Sequence, residues 1–408
     1  MKPYERLLHY VSIDTTSNPT SGDHPSTPNQ KLLASQLVIE MRDLGLFDVY
    51  MDEASYVYGT IPATCPHAIT VGFIAHLDTS CDVSGKDIHP QCHPNYQGED
   101  IILNHQENII LKQSMFPALK NEFGRTLITT DGTTLLGADD KAGIAEIMSM
   151  AEYFMNNPSI PHGTIKIAFT PDEEIGEGAD LFDIKSFDCD FAFTVDGGDE
   201  GEISYENFNA ASADVKFYGS NIHPGSAKGK MVNSIHLAMA FHQGLPHDET
   251  PEMTEGYEGF QHLNTTTGTV EETHLHYIIR NHNRIKFESQ KNRFIELQDA
   301  MNQQYGYRVC EVTLKDTYYN MFEKMKGHLN IIDIAIRANK KVGITPKIIP
   351  IRGGTDGARL TYEGLLCPNI ATGGYNFHGK YECISIEAMD HCTDVLIQMV
   401  HEIYKEKM

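Results

Sequence analysis

A chain of 408 residues, 40% hydrophobic and 22% charged, is long enough for two packed cores and has the composition of an ordinary globular enzyme rather than a disordered segment. Acids outnumber bases 56 to 32, for a formal net charge of -24, and no basic run appears, which excludes a nucleic-acid-binding role. Part of that acidity keeps the surface solvated, and part fits carboxylates gathered around bound cations.

In chain order, short apolar runs at 67–76 (HAITVGFIAH), 164–170 (TIKIAFT) and 191–196 (FAFTVD) read as buried parallel strands. Between the first two, 141–156 (KAGIAEIMSMAEYFMN) has helical spacing, so an α/β layer is expected, with chemistry at the strand C-termini. From about 211 the order becomes strand (ADVKFYG), helix 231–243, two strands over 265–280, helix 284–303 and strand 307–314. That is the βαββαβ unit of a small ferredoxin-like sandwich. The chain then resumes helix, strand (347–351), a Gly-rich turn over 353–357 and a last helix from about 385. The predicted architecture is one α/β catalytic domain with a mixed, helix-flanked sheet, built from 1–209 and 319–408. It is interrupted by a smaller α+β domain at 210–318.

Eight cysteines lie scattered without CxxC pairs, the stretch MKPYERLLHYVSI lacks an apolar signal core, and no apolar run is as long as a membrane span. Reduced thiols in a cytoplasmic protein without a membrane partner are expected.

Five motifs carry chemistry. His76-Leu77-Asp78 ends an apolar strand, where period-2 geometry turns both polar side chains to one face and the carboxylate can orient a ligating imidazole. Taken alone, such a pair is as ordinary as any hydrogen-bonded strand end. Gly137-Ala138-Asp139-Asp140-Lys141-Ala142-Gly143 sets two acids before a helix, which by itself also describes an N-cap. Asp172-Glu173-Glu174 follows a buried strand, and three adjacent acids repel unless a cation or solvent screens them. Val195-Asp196-Gly197-Gly198 and Gly373-Gly374-Tyr375-Asn376-Phe377-His378 add one acid and one histidine at further strand ends. Together they supply the N and O ligands of a pair of Zn²⁺ ions.

These motifs, in this order and spacing, resemble the aminoacylase and carboxypeptidase G clan of co-catalytic zinc peptidases. The stretches ITTDGTTLLGADDKAGIAEI, FTPDEEIGEGAD, NIHPGSAKGKMVNS, YIIRNHNR and IRGGTDGARL resemble its peptidase T family from one end of the chain to the other. Spacing leaves Asp139 and Asp140 equivalent; the resemblance implies that Asp139, two before Lys141, bridges the metals through a cis Asp139–Asp140 peptide. It also implies that His76 and Asp196 complete one zinc, that Glu174 and His378 complete the other, that Asp78 supports His76, and that Glu173 is the general base. Adjacent ligand and base at 173 and 174 require the backbone to turn after Pro171 and Asp172. Arg280, ending a strand of the insert, and Arg352, before a glycine turn in the catalytic domain, are candidates for the substrate carboxylate. His223 resembles a substrate-contacting lid histidine, and Asn376 is a candidate for substrate backbone. The resemblance implies a tripeptide aminopeptidase acting on short peptides, with the inserted domain as lid or homodimer surface. A dipeptidase, an N-acyl amino acid deacylase, a carboxypeptidase or a non-catalytic peptide-binding protein are the alternatives.

Overall fold

Buried at every position but half-buried Lys166 and rich in Val, Ile and Phe, Val71–His76, Ile165–Thr170 and Phe191–Val195 form three neighbouring parallel strands in the computed structural model, which describes residues 1–66 and 68–406. His67, expected to open the first strand, and Lys407 and Met408, at the end of the expected third segment, lie outside the described residues. The sheet has eight strands, in the order Phe47–Met51, Val57–Ile61, Ile165–Thr170, Val71–His76, Phe191–Val195, Asn369–Ile370, Glu202–Ser204 and Lys347–Ile348. Its centre is parallel, whereas Val57–Ile61 and Glu202–Ser204 pair antiparallel with their inner neighbours, giving the mixed sheet expected.

The helix Ala138–Asn156 packs closely on this sheet. A Cβ built at position 143 would sit 2.0 Å from the Val195 carbonyl oxygen, so only glycine lets the helix approach. Ile386–Lys405 has ten side chains buried, among them Leu396, Met399 and Val400. Residues 80–136, for which the sequence offered no element, hold a hairpin of Ile101–Asn104 with Ile109–Leu111 and part of a second sheet. That sheet pairs Gly374–Tyr375, Cys383–Ser385, Leu127–Thr129 and Gln91–His93, all antiparallel. Among the described residues no helix is long and apolar enough to cross a membrane.

The chain divides into two compact units: Met1–Tyr205 with Lys324–Ile349 and Thr355–Met408, and Glu206–Glu323 with Pro350–Gly354. The second unit is the βαββαβ sandwich. Its sheet runs Phe260–Gly268, Glu272–Asn281, Asn209–Tyr218, Cys310–Tyr318, every pair antiparallel. Alternating Ala211, Ala213, Val215 and Phe217 face a core shared with Phe241 of helix Ser234–Gln243 and with Phe287 and Phe294 of helix Arg284–Tyr305. This is the one-sided burial of an antiparallel sheet covered by helices.

The unit extends beyond the expected 210–318 because asparagines tie its ends together. Asn207 accepts from the Met321 N–H and donates to the Tyr319 carbonyl, while Asn209 accepts from the Asn320 N–H and donates to the carbonyls of Asn281 and His282. The five residues around Arg352, expected in the catalytic domain, belong to this unit. The Arg352 guanidinium donates to the carbonyls of Thr254, Gly256 and Glu258 and lies over the rings of Phe208 and Phe260.

Candidate metal centre

Register fixes the site. His76, the last residue of its strand, pairs with Thr170, so the acids of 172–174 leave the sheet beside it, and Asp196 follows the next strand directly. The turn required between strand and acids is present: Asp172 adopts φ 60°, ψ 29°, and a single 3-10 turn spans Glu173–Ile175. Asp172 is held there by the N–H and hydroxyl of Ser26 and the amide of Gln30. Asp78 accepts the N–H groups of Glu173 and Glu174 at 3.0 and 3.1 Å, which fixes the turn from the other side.

The side chains converge on Asp139. His76 Nε2 lies 3.0 Å from Asp139 Oδ1 and 3.7 Å from Asp196 Oδ1, and His378 Nε2 lies 3.2 Å from Asp139 Oδ2 and 3.0 Å from Glu174 Oε2. One carboxylate therefore offers one oxygen to each imidazole. His76 Nδ1 is 3.0 Å from the Asp78 carbonyl and 3.4 Å from its carboxylate. Asp139 and Asp140 are joined by a cis peptide. Asp140 is fully buried, and its Oδ2 accepts the His76 backbone N–H at 3.1 Å. The two neighbouring acids thus have different surroundings, which spacing could not reveal.

Electrostatics follow from burial. It drives Glu173 well above the ordinary glutamate value, with Asp356, Asp196 and Glu174 adding to the rise against the pull of His76. Asp196 is raised by burial and by Asp139, and Glu174 is pushed up to about 7 by burial despite its hydrogen bond with His378. Asp139 goes the other way: against burial, His378 and His76 hold it below the usual carboxylate range. His378 rises to about 11 through Asp139 and Glu174, and His76 also rises, its three carboxylates outweighing burial.

The donor set fits divalent cations. His76, Asp139 and Glu174 can bring ligand atoms within 4.8 Å of one another, as can His76, Asp140 and Asp196. Among the described residues, Glu174 Oε1 and Asp140 Oδ1 are buried without a hydrogen-bond partner. Imidazole nitrogens with carboxylate oxygens suit zinc and its neighbours, and unpartnered buried oxygens beside raised carboxyls are what a bound cation would satisfy.

Of the other expected site residues, His223, Arg280 and Arg352 lie in the second unit. His223 is exposed and its Nδ1 accepts the Gly225 N–H. Arg280 donates to the carbonyls of Ala211 and Ile279 and lies over Tyr318. Asn376 has φ 58° and donates to the Tyr381 carbonyl, so its amide shapes the loop that carries His378. The sequence reading missed three buried groups at the centre. Asp356, its carboxyl pushed up to about 7 by burial, accepts the Thr170 hydroxyl. Lys141 donates to the Ile13 carbonyl. Glu382, also raised to about 7 by burial, accepts the N–H groups of Leu136, Gly137 and Asp139. Only the nearness of Glu382 to His378 in sequence could have marked it.

A profile described as a peptidase dimerisation domain matches residues 205–308. The peptidase T of Clostridium novyi (strain NT) is 54% identical over 402 residues, covering 98% of each chain. Among solved structures, the aminopeptidase PepT from Bacillus cereus ATCC 10987 superposes with a TM-score of 0.78 at 22% identity over 99% of this chain and 98% of its own. A tripeptidase from Staphylococcus aureus subsp. aureus Mu50 does so with 0.77 at 20% identity, again covering 99% and 98%. Identity above one half along the whole length shows that the chain belongs to the peptidase T family.

Proposed function

We propose that the chain is a metallo-aminopeptidase that removes the N-terminal residue from tripeptides and holds two Zn²⁺ ions per subunit. Asp139 would be shared, His76 and Asp196 would hold one ion, and Glu174 and His378 would hold the other. The observation that carries this reading is the Asp139 carboxylate, split between two imidazoles at 3.0 and 3.2 Å. Asp139 is preferred to Asp140 as the bridge because Asp140 spends an oxygen on the His76 backbone.

When bound, such ions polarise the scissile carbonyl and make an attacking water acidic near neutral pH. The rest falls to the chain's own groups. A carbonyl can only accept, so the contact from Asp78 puts the proton of His76 on Nδ1 and leaves Nε2 free as a ligand. Glu173 takes the proton of the attacking water and returns it to the leaving amine. Its raised carboxyl, next to ligand Glu174, suits a group that must hold that proton for a time. Asp78, by gripping both N–H groups of 173 and 174, keeps base and ligand in fixed relation.

Arg280 is the better candidate for the substrate carboxylate, since Arg352 spends both terminal nitrogens on carbonyls and on the Thr254 hydroxyl. His223 and Asn376 are proposed substrate contacts. The names of the relatives support action on tripeptides, the matched dimerisation domain supports a homodimer through the inserted unit, and eight cysteines without a disulfide support a cytoplasmic setting.

The test compares kcat/KM for di-, tri- and tetra-alanine and an N-acetylated tripeptide, before and after chelation and zinc restoration. Zinc-dependent release of the N-terminal residue from the free tripeptide, with the acetylated one resistant, is expected. Preference for the dipeptide or the acetylated peptide would overturn the specificity, and activity untouched by chelation would overturn the metal.

A further inference from the structure

We propose that Glu382 is the positioning residue of this centre: by gripping the backbone of 136–139 it sets Asp139 between the two imidazoles, and so governs how tightly metal binds. The inference rests on the metal reading above and adds to it a residue outside the ligand set.

The first N–H groups of a helix have no partner within it. Here Asp139 (φ −87°, ψ 104°) and Asp140 (φ −120°, ψ 30°) are non-helical, so the regular helix begins only after them and offers the N–H groups of 136–139 no partner, and Gly137 has no side chain to cap them. Gly137 at φ 79° curls the backbone so that the N–H groups of Leu136, Gly137 and Asp139 point into one hollow, the kind of nest that takes an anion. The anion here comes from the protein, 243 residues further along from Asp139. Glu382 Oε2 accepts from Leu136 and Gly137 at 2.7 and 2.9 Å, and Oε1 accepts from Asp139 at 3.0 Å. Its side chain is 1% exposed, so water does not compete for those donors.

Glu382 also sits four residues after His378 in one tight loop. The Glu382 N–H donates to the Gly379 carbonyl at 3.1 Å, and the Asn376 amide donates to the Tyr381 carbonyl at 3.1 Å. The next residues pair with Leu127–Thr129, Cys383 opposite Thr129 and Ser385 opposite Leu127, which anchors the loop to a sheet. One short segment therefore presents an imidazole to Asp139 and grips the backbone that carries Asp139. A shift of either would change both halves of the centre together.

The experiment uses the full-length Glu382→Gln protein, which keeps size and one acceptor oxygen but turns an amide toward one of the three donors. Zinc affinity is measured by competition with a chromophoric chelator, the melting temperature of the metal-free protein by calorimetry, and kcat and KM on tri-alanine. Asp139→Asn is the reference. Expected are a metal-free melting temperature close to the parent's, zinc binding weakened about 10- to 100-fold, and a matching loss in kcat at unchanged KM. Parent-like zinc affinity in Glu382→Gln, with affinity lost in Asp139→Asn, overturns the inference and leaves the metal reading standing; so does a lowered metal-free melting temperature with unchanged zinc affinity, which is the mark of a plain cap. Zinc affinity unchanged in Asp139→Asn itself overturns the metal reading and this inference with it. If Glu382→Gln does not fold, Glu382→Asp, which keeps the charge and withdraws the oxygens by one methylene, is judged by the same results.

Discussion

Two glutamates, Glu174 at the candidate metal centre and Glu402 on the last helix, have side chains equally closed to solvent at 5% exposure, though Glu174 lies deeper among protein atoms. Their carboxyls nonetheless move in opposite directions. Glu402 is met by Lys341, Lys405 and Arg337, which overcome burial and lower it to about 2, while at Glu174 deeper burial and Asp139 outweigh His378 and His76 and the carboxyl rises to about 7. Exposure alone therefore does not decide the charge of a carboxyl; depth and partners together do. At Glu402 the chain supplies its own cations. Around Glu174 it gathers further acids instead, Asp139, Asp196, Glu173 and Asp140, which is an arrangement for positive charge brought from outside.

Removing the shared acid should break the comparison most severely. Asp139→Asn is expected to lower kcat/KM on tri-alanine by about 10⁴-fold, the scale seen when a member of a working unit is lost, together with bound zinc measured by atomic absorption. Next comes Glu173→Gln, for which kcat should fall about 10²- to 10⁴-fold with zinc content unchanged, separating base from ligand. Chelation should then lower the melting temperature of the parent, since zinc at 1,000 times its Kd stabilises by about 4 kcal/mol, and should leave that of Asp139→Asn unmoved.

The smallest effect sharpens the other side. The Glu402 carboxyl lies below its unfolded value of 4.5, so its stabilisation is present above about pH 4.5 and is lost as pH falls toward 2. Because its cationic partners are 40% to 57% exposed, screening keeps that contribution near 1 kcal/mol. Urea unfolding of Glu402→Gln against the parent should show this deficit at pH 7, less of it in high salt, and little of it at pH 2.

The sequence could show what local pattern encodes. Continuous apolar runs marked the central parallel strands, and the stretch ADVKFYG and the two strands expected over 265–280 correspond to Asn209–Tyr218, Phe260–Gly268 and Glu272–Asn281. The motif acids and histidines stood at strand ends, and register brought His76, Asp139, Glu174, Asp196 and His378 to one place. What escaped depends on distant partners. The strands Gln91–His93 and Leu127–Thr129 are three residues each, too short for any period to emerge. Glu382 and Asp356 are single acids whose roles exist only once remote backbone arrives. Arg352 reads as part of a turn in the catalytic segment, and only the carbonyls of Thr254, Gly256 and Glu258 draw it into the other unit.

That long-range assembly also sets a schedule. His76, Asp139, Glu174 and Asp196 are made early, but His378 and the grip of Glu382 follow only after the ribosome has passed through the inserted unit at 206–323. At 5–20 residues per second, the interval from Asp196 to His378 lasts roughly ten to forty seconds. Throughout it the nascent chain has the acids of the centre without its second imidazole and without the pairing of Cys383–Ser385 with Leu127–Thr129. Hydrolysis is therefore among the last properties the growing polypeptide acquires, and ribosome-bound fragments stalled before position 378 should be inert toward peptides.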